Sequence, residues 1–163
     1  MLQPVQSFEP GTVTSYSNYG AGLASLIVER ISGQTFADYT HEHIFQPLGM
    51  DKTALLPDLS DNPYVQKKRQ ESKAYDTKGN SLGTAFYEYG LYSIGQAAGT
   101  LEDLQKFAQA LLGRKTLFER PETWNTLYNP TSTYPGTDIA RNAHGFWINE
   151  YGVSIIGHGG NTD

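Results

Sequence analysis

Helical spacing of apolar residues is clearest in two parts of this chain. Leu23, Leu26, Ile27 and Ile31, and later Leu104, Phe107, Ala108, Leu111 and Leu112, recur at intervals of three and four. Between these parts, residues 50–99 carry prolines at 57 and 63 and glycines at 79, 83, 90, 95 and 99. Proline withholds an N–H and glycine costs the backbone extra entropy, so regular helix does not run through such a stretch. The expected architecture is therefore mainly α with a β-hairpin, its helices flanking a long irregular segment.

The caps sharpen this reading. Ser17 or Asn18 caps a helix over 17–33, with Gly33 as its left-handed stop. Thr35-x-x-Asp38 resembles a capping box and opens a second helix that buries Phe36, Tyr39 and Ile44 until Pro47-Leu48-Gly49 ends it. The two make a helical hairpin. Thr100-Leu101-Glu102-Asp103 caps the clearest helix, which runs to Gly113, and Pro121 in a first turn starts a shorter one through Trp124 and Tyr128. Within 50–99, Lys78-Gly79-Asn80 turns a hairpin between 72–77 and 81–86. The aromatics Phe86, Tyr87, Tyr89 and Tyr92 form either packing or a cleft wall. A polar loop at 129–144 precedes two strands, 145–149 and 153–157, around Glu150-Tyr151-Gly152.

Composition excludes several classes. Only 38% of the 163 residues are hydrophobic, which suits a helical domain with long connections or a piece of a larger core. The net charge is −5, and Lys67-Lys68-Arg69 is the longest basic run, so nucleic acid is not an expected partner. With no cysteine, disulfides and thiolate metal sites are excluded. No apolar run approaches the ~20 residues that span a bilayer, and the first residues lack the pattern of a signal peptide. Any membrane contact would come through segments outside this sequence. His41 and His43 flank Glu42, but residues two apart on a helix face different ways and no His-Glu-x-x-His exists, so neither a metal nor a cofactor is expected.

The remaining motifs form an ordered set. Pro10-Gly11 and Tyr16-Ser17-Asn18 are followed by Gly33-Gln34-Thr35-Phe36 and by Ile44-Phe45-Gln46-Pro47-Leu48-Gly49-Met50 with Thr53. Ala98-Gly99-Thr100-Leu101-Glu102-Asp103-Leu104 and Gly157-His158-Gly159-Gly160 complete it. Tyr-x-Asn alone is weak, but in this order the set resembles the class C-like serine β-lactamase and penicillin-binding-protein superfamily, over nearly the whole chain. The resemblance implies the helical domain of the β-lactamase/transpeptidase-like α/β fold, truncated at both ends. Residues 1–144 would be a helical-domain segment and 145–163 the first strands of the α/β domain. The family's Ser-x-x-Lys is absent, because no serine here has lysine three positions on.

By position, the resemblance makes Tyr16 the general base or proton shuttle for a serine outside this sequence. An isolated phenol has a pKa near 10, so this role needs neighbouring cations. Asn18 would orient the substrate amide and is also a candidate helix cap. His158, Gly159, Gly160 and Asn161 would bind substrate. The glycines would let it lie against the strand, and the Asn161 N–H would be one oxyanion donor. His158 stands where efficient β-lactamases of this class carry lysine, and a histidine is largely neutral at pH 7. That version looks more like the family's D-amino-acid peptidases, esterases and low-affinity penicillin-binding proteins.

The expected function is thus a fragment of a serine acyl hydrolase or transferase acting on β-lactam-like, D-Ala-peptide or ester substrates, inactive alone for want of its nucleophile. Its substrates would be small molecules or peptidoglycan-type peptides. The parent would be exported or at the cell surface if a signal lies upstream. The strand at 153–157 would keep an edge open to pairing with another copy. The competing expectation is a non-catalytic binding or scaffold module derived from the same fold. An unrelated hydrolase using His158 as base lacks a Gly-x-Ser-x-Gly elbow.

Overall fold

The computed structural model describes residues 5–84 and 92–160. They divide into two units, one of residues 16–117 and one of residues 5–15 with 118–160.

In the first unit, helix α1 spans Asn18–Ser32. Ser17 is its cap, the hydroxyl accepting from the Gly20 N–H at 3.0 Å, and Gly33 closes it at φ 74°. Thr35 caps α2 (Phe36–Thr40) by accepting from the Asp38 N–H at 3.1 Å. The helical run ends at Pro47-Leu48-Gly49, as expected. The helix continues through a π-turn, His41–Phe45, into α3 (Gln46–Leu48), and Gly49 ends it at φ 64°. Pro47 has no N–H for the carbonyl four residues back and crowds it. The chain widens just upstream, where Gln46 donates to the His41 carbonyl.

Ala37, Phe45, Met50 and Leu55 form the core of this unit, flanked by Phe36, Ile44, Leu48 and Phe107. Strand β1 (Thr53–Ala54) pairs antiparallel with β4 (Ala98–Gly99), matching Thr53 to Gly99. A Cβ on Gly99 would lie 2.6 Å from Thr53 Oγ1, so this position requires glycine for close approach. Ala54, Leu59 and Val65 make a second apolar cluster under Ala98.

Between these strands lies a helix that apolar spacing does not reveal. α4 (Pro63–Glu71) is polar throughout, with only Val65 buried. It rests on its cap, the Asn62 side chain accepting from the Val65 N–H at 3.2 Å, and on Pro63 in the first turn. The hairpin forms around Gly79, shorter than expected, with β2 (Ala74–Tyr75) against β3 (Ser81–Gly83). Asp76 accepts from the N–H groups of Lys78 and Asn80, both at 2.8 Å, and so fixes the turn.

Helix α5 (Leu101–Gly113) starts at its predicted Thr100 cap and runs to Gly113, with Arg114 as its left-handed cap at φ 49°. Its inward face also differs from the apolar pattern. Asp103 and Ala110 are buried, whereas Leu104 is 58% exposed and Leu112 86%.

The second unit holds α6 (Pro121–Tyr128) and a four-stranded antiparallel sheet in the order β5-β6-β7-β8. The expected loop at 129–144 contains two of its strands, β5 (Ser132–Thr133) and β6 (Ala140–Ala143). Both are short and weakly apolar, so they leave little alternation in the sequence. β7 (Phe146–Glu150) and β8 (Ser154–Gly157) pair from Trp147–Gly157 to Glu150–Ser154, close to the predicted spans.

Candidate active site

The predicted catalytic pair meets at the start of α1. The Tyr16 hydroxyl donates to Asn18 Oδ1 at 2.7 Å, and the tyrosine is 60% exposed. Because Ser17 makes the cap, the Asn18 side chain is released from that duty and turns to Tyr16 instead. In this bond the phenol is the donor and the amide oxygen the acceptor.

The helix behind this pair is held by groups far apart in sequence. Ser25 Oγ lies 2.6 Å from Ser93 Oγ. Glu29 Oε1 accepts from the Phe36 N–H at 2.8 Å and from the Tyr92 hydroxyl at 3.3 Å. Burial, reinforced by the Glu29 charge, raises the Tyr92 phenol above its ordinary value and keeps it protonated. Tyr92 also packs edge-on against Phe36, so this aromatic serves packing. Phe86, Tyr87 and Tyr89 lie outside the described residues. Glu29 and Tyr92 are 63 positions apart, so no local spacing marks this contact in the sequence.

Beneath lies an apolar cavity of about 640 Å³, lined by Phe36, Ile44, Phe45, Met50, Leu104 and Phe107 with threonines 40, 53 and 100. Among the described residues no ionisable group lines it, and these residues offer shape and apolar contact. At its border Asp103, 1% exposed, accepts from the Lys52 N–H at 2.7 Å and the Thr53 hydroxyl at 2.9 Å. Its other oxygen pairs with Lys106 at 3.0 Å, and Lys106 also donates to the Gly49 carbonyl. Burial pushes this carboxyl up, but the donors outweigh it and hold it below its usual value.

His41, considered above for metal, instead pairs with Asp61 at 2.7 Å. That carboxylate also accepts from the Leu55 N–H at 2.6 Å, tying the π-turn to the loop after β1. Among the described residues, no group of three His, Cys, Asp or Glu is placed to hold a metal.

In the second unit, His158, Gly159 and Gly160 follow β8 directly and are exposed. His158 Nδ1 lies 2.5 Å from the Gly159 carbonyl. A carbonyl only accepts, so Nδ1 carries the hydrogen of this bond. Neither glycine has positive φ, and no heavy atom lies within 4 Å of an added Cβ. The described chain itself therefore does not demand glycine at either position. Asn161 lies outside the described residues.

The first unit thus carries a hydrogen-bonded Tyr-x-Asn at a helix entrance, and the second an exposed His-Gly-Gly after an antiparallel strand. The Beta-lactamase family model matches residues 1–163, and the chain belongs to this family of hydrolases. It is 28% identical over 165 residues to the unguisins hydrolase ungD' of Aspergillus campestris, covering 97% of this chain and 30% of that protein. It is 31% identical over 112 residues to penicillin-binding protein 4* of Bacillus subtilis, covering 64% of this chain and 25% of that protein. The chain thus spans less than a third of the length of these relatives.

Among solved structures, the octameric penicillin-binding protein homologue from Pyrococcus abyssi superposes with TM-score 0.74 at 22% identity, covering 93% of this chain and 34% of that one. D-amino acid amidase from Ochrobactrum anthropi gives TM-score 0.67 at 27% identity, covering 93% and 43%. The fold is β-lactamase/transpeptidase-like.

Proposed function

We propose that this chain is a partial serine acyl hydrolase or transferase, carrying the proton-shuttle pair and the substrate strand but not the nucleophile. The Tyr16–Asn18 hydrogen bond is the observation that carries this reading, since it joins the two residues that chemistry at an attacking serine requires. Tyr16 relays the serine proton, and Asn18 orients both Tyr16 and the substrate amide. His158, Gly159 and Gly160 line the acyl group, and the Asn161 N–H supplies one oxyanion donor. The open space over both glycines supports close approach of a substrate.

Substrates are β-lactam-like compounds, D-Ala-peptides or esters, in keeping with relatives named as a penicillin-binding protein and a D-amino acid amidase. The chain by itself is inactive, because no Ser-x-x-Lys is present. Apolar residues left in solvent on α1 and α5 support the reading that further polypeptide completes the site. β8 pairs only with β7 among the described residues, and its outer edge suits a second copy, with Ile155 47% exposed.

The test is to challenge the purified chain with a chromogenic cephalosporin and a p-nitrophenyl ester. No turnover is expected. Hydrolysis that disappears on Tyr16→Phe would overturn the partial-enzyme reading by revealing a nucleophile within these residues.

A further inference from the structure

Positive charge is unevenly spread along this chain. Residues 67–78 hold five of its 12 basic residues, Lys67, Lys68, Arg69, Lys73 and Lys78, against two of its 17 acidic ones, Glu71 and Asp76. The stretch therefore carries +3 in a chain whose net charge is −5. Lys68 is matched by Glu71 at 2.7 Å. Lys67, Lys73 and Lys78 are exposed and, among the described residues, meet no carboxylate within ion-pair distance.

The fold gathers these cations on one projecting surface. Val65 is the buried residue of α4, so Lys67, two positions on, faces away from the core. The β2–β3 hairpin follows after two residues and leans on the end of the helix, the Thr84 hydroxyl donating to the Gln70 carbonyl at 3.5 Å. Residues 77–84 are exposed throughout. Ala74 pairs with Gly83 and Tyr75 with Ser81, so Leu82 is the extra residue of a bulge opposite Tyr75. Tyr75 is 60% exposed and Leu82 65%, which leaves an aromatic and a leucine in solvent at neighbouring positions of the ladder. A two-stranded hairpin is marginally stable in water without a further layer.

Cations set around a small apolar patch match one kind of partner. Near an anionic bilayer each lysine strengthens binding by about fivefold, and it loses that gain beyond a Debye length. A tyrosine and a leucine gain by entering the headgroup layer. A nucleic acid would use the same charges but not Leu82, which has no π-face for a base to stack on. We propose that the last turns of α4 and the β2–β3 hairpin form a docking surface for an anionic phospholipid bilayer. Lys67, Lys73 and Lys78 face the headgroup phosphates, and Tyr75 and Leu82 enter between them. The contact is peripheral, since among the described residues no helix is long and apolar enough to cross a membrane. None of these residues belongs to the acyl-transfer set, so membrane docking and hydrolysis can fail separately.

The experiment sediments the purified chain with vesicles of phosphatidylcholine alone and of phosphatidylcholine and phosphatidylglycerol in equal parts. The chain should pellet with the anionic vesicles and stay in solution with the zwitterionic ones, and added salt should release it. Lys67→Gln combined with Lys73→Gln should weaken binding by about tenfold or more. Lys115→Gln combined with Arg120→Gln removes as much charge outside this surface and should leave binding unchanged. Pelleting that ignores vesicle charge, no pelleting with either, or an equal loss in both double variants would overturn the proposal. So would a short DNA duplex that strips the chain from the vesicles, because the surface would then belong to nucleic acid. If a variant fails to fold, the anionic-against-zwitterionic comparison on the wild type still decides it.

Discussion

Helix α1 and the helical run 36–48 have similar apolar spacing and opposite fates. In α1 the predicted face is exposed, with Leu26 at 42%, Ile27 at 51% and Ile31 at 83%. In the second run Ala37 falls to 3% and Phe45 to 7%. Periodicity decides which side of a helix is apolar, but cover comes only from segments that fold back onto it. Two carboxylates organise that return around the second run: Asp61 bonds to His41 and the loop after β1, and Asp103 joins α5 to β1. Among the described residues no comparable polar staple covers the outer face of α1, whose links to Tyr92 and Ser93 run through Glu29 and Ser25.

The largest effect should come from removing such a staple. Asp103→Ala leaves Lys106 half-buried without its partner and strips an acceptor from the Lys52 N–H and the Thr53 hydroxyl. Breaking a buried pair on one side costs about 3–5 kcal/mol, so a marked drop in the urea midpoint is expected. The pH dependence has a definite sign. The folded-state carboxyl is depressed below 3.8, so its stabilisation is full above that value and is lost as pH falls through the lower, folded pKa. Asp58 and Asp76 shift the same way, so the comparison needed is wild type against Asp103→Asn, whose acid limb should be shallower. Parallel acid limbs would show that Asp103 does not carry this dependence.

Gly99→Ala should come next. The new Cβ would approach Thr53 Oγ1 to 2.6 Å, and that hydroxyl is held by Asp103, so it cannot retreat freely. Overpacking of this kind costs about 1–3 kcal/mol. Adding Thr53→Ala removes the obstructing hydroxyl, so the double variant should lose less than the sum of the two singles. Additive losses would place the cost of Gly99→Ala in the strand backbone rather than in the clash.

Much of this was legible in the sequence. Ser17, Gly33, Thr35 and Thr100 occupy their capping positions because capping depends on residues two or three apart. The Tyr16–Asn18 contact is equally local. What escaped was either polar or distant. α4 has no apolar stripe, and Asn62-Pro63 was its only signal. β5 and β6 are too short to alternate visibly. Burial of Asp103 in place of Leu104 follows from acceptors needed 50 residues away, which periodicity cannot register.

The smallest expected effect tests the bare face directly. Ile31→Gln replaces an 83% exposed side chain with one of good helix propensity, so the free energy of unfolding should stay within about 0.5 kcal/mol of wild type. A buried isoleucine would respond differently, since polar replacement there leaves both a cavity and an amide without partners. Denaturant unfolding at two protein concentrations separates the cases. An unchanged midpoint at both confirms that Ile31 is uncovered. A loss above about 1 kcal/mol at both would show the face packed within the molecule, and a loss that grows with concentration would show a second copy covering it.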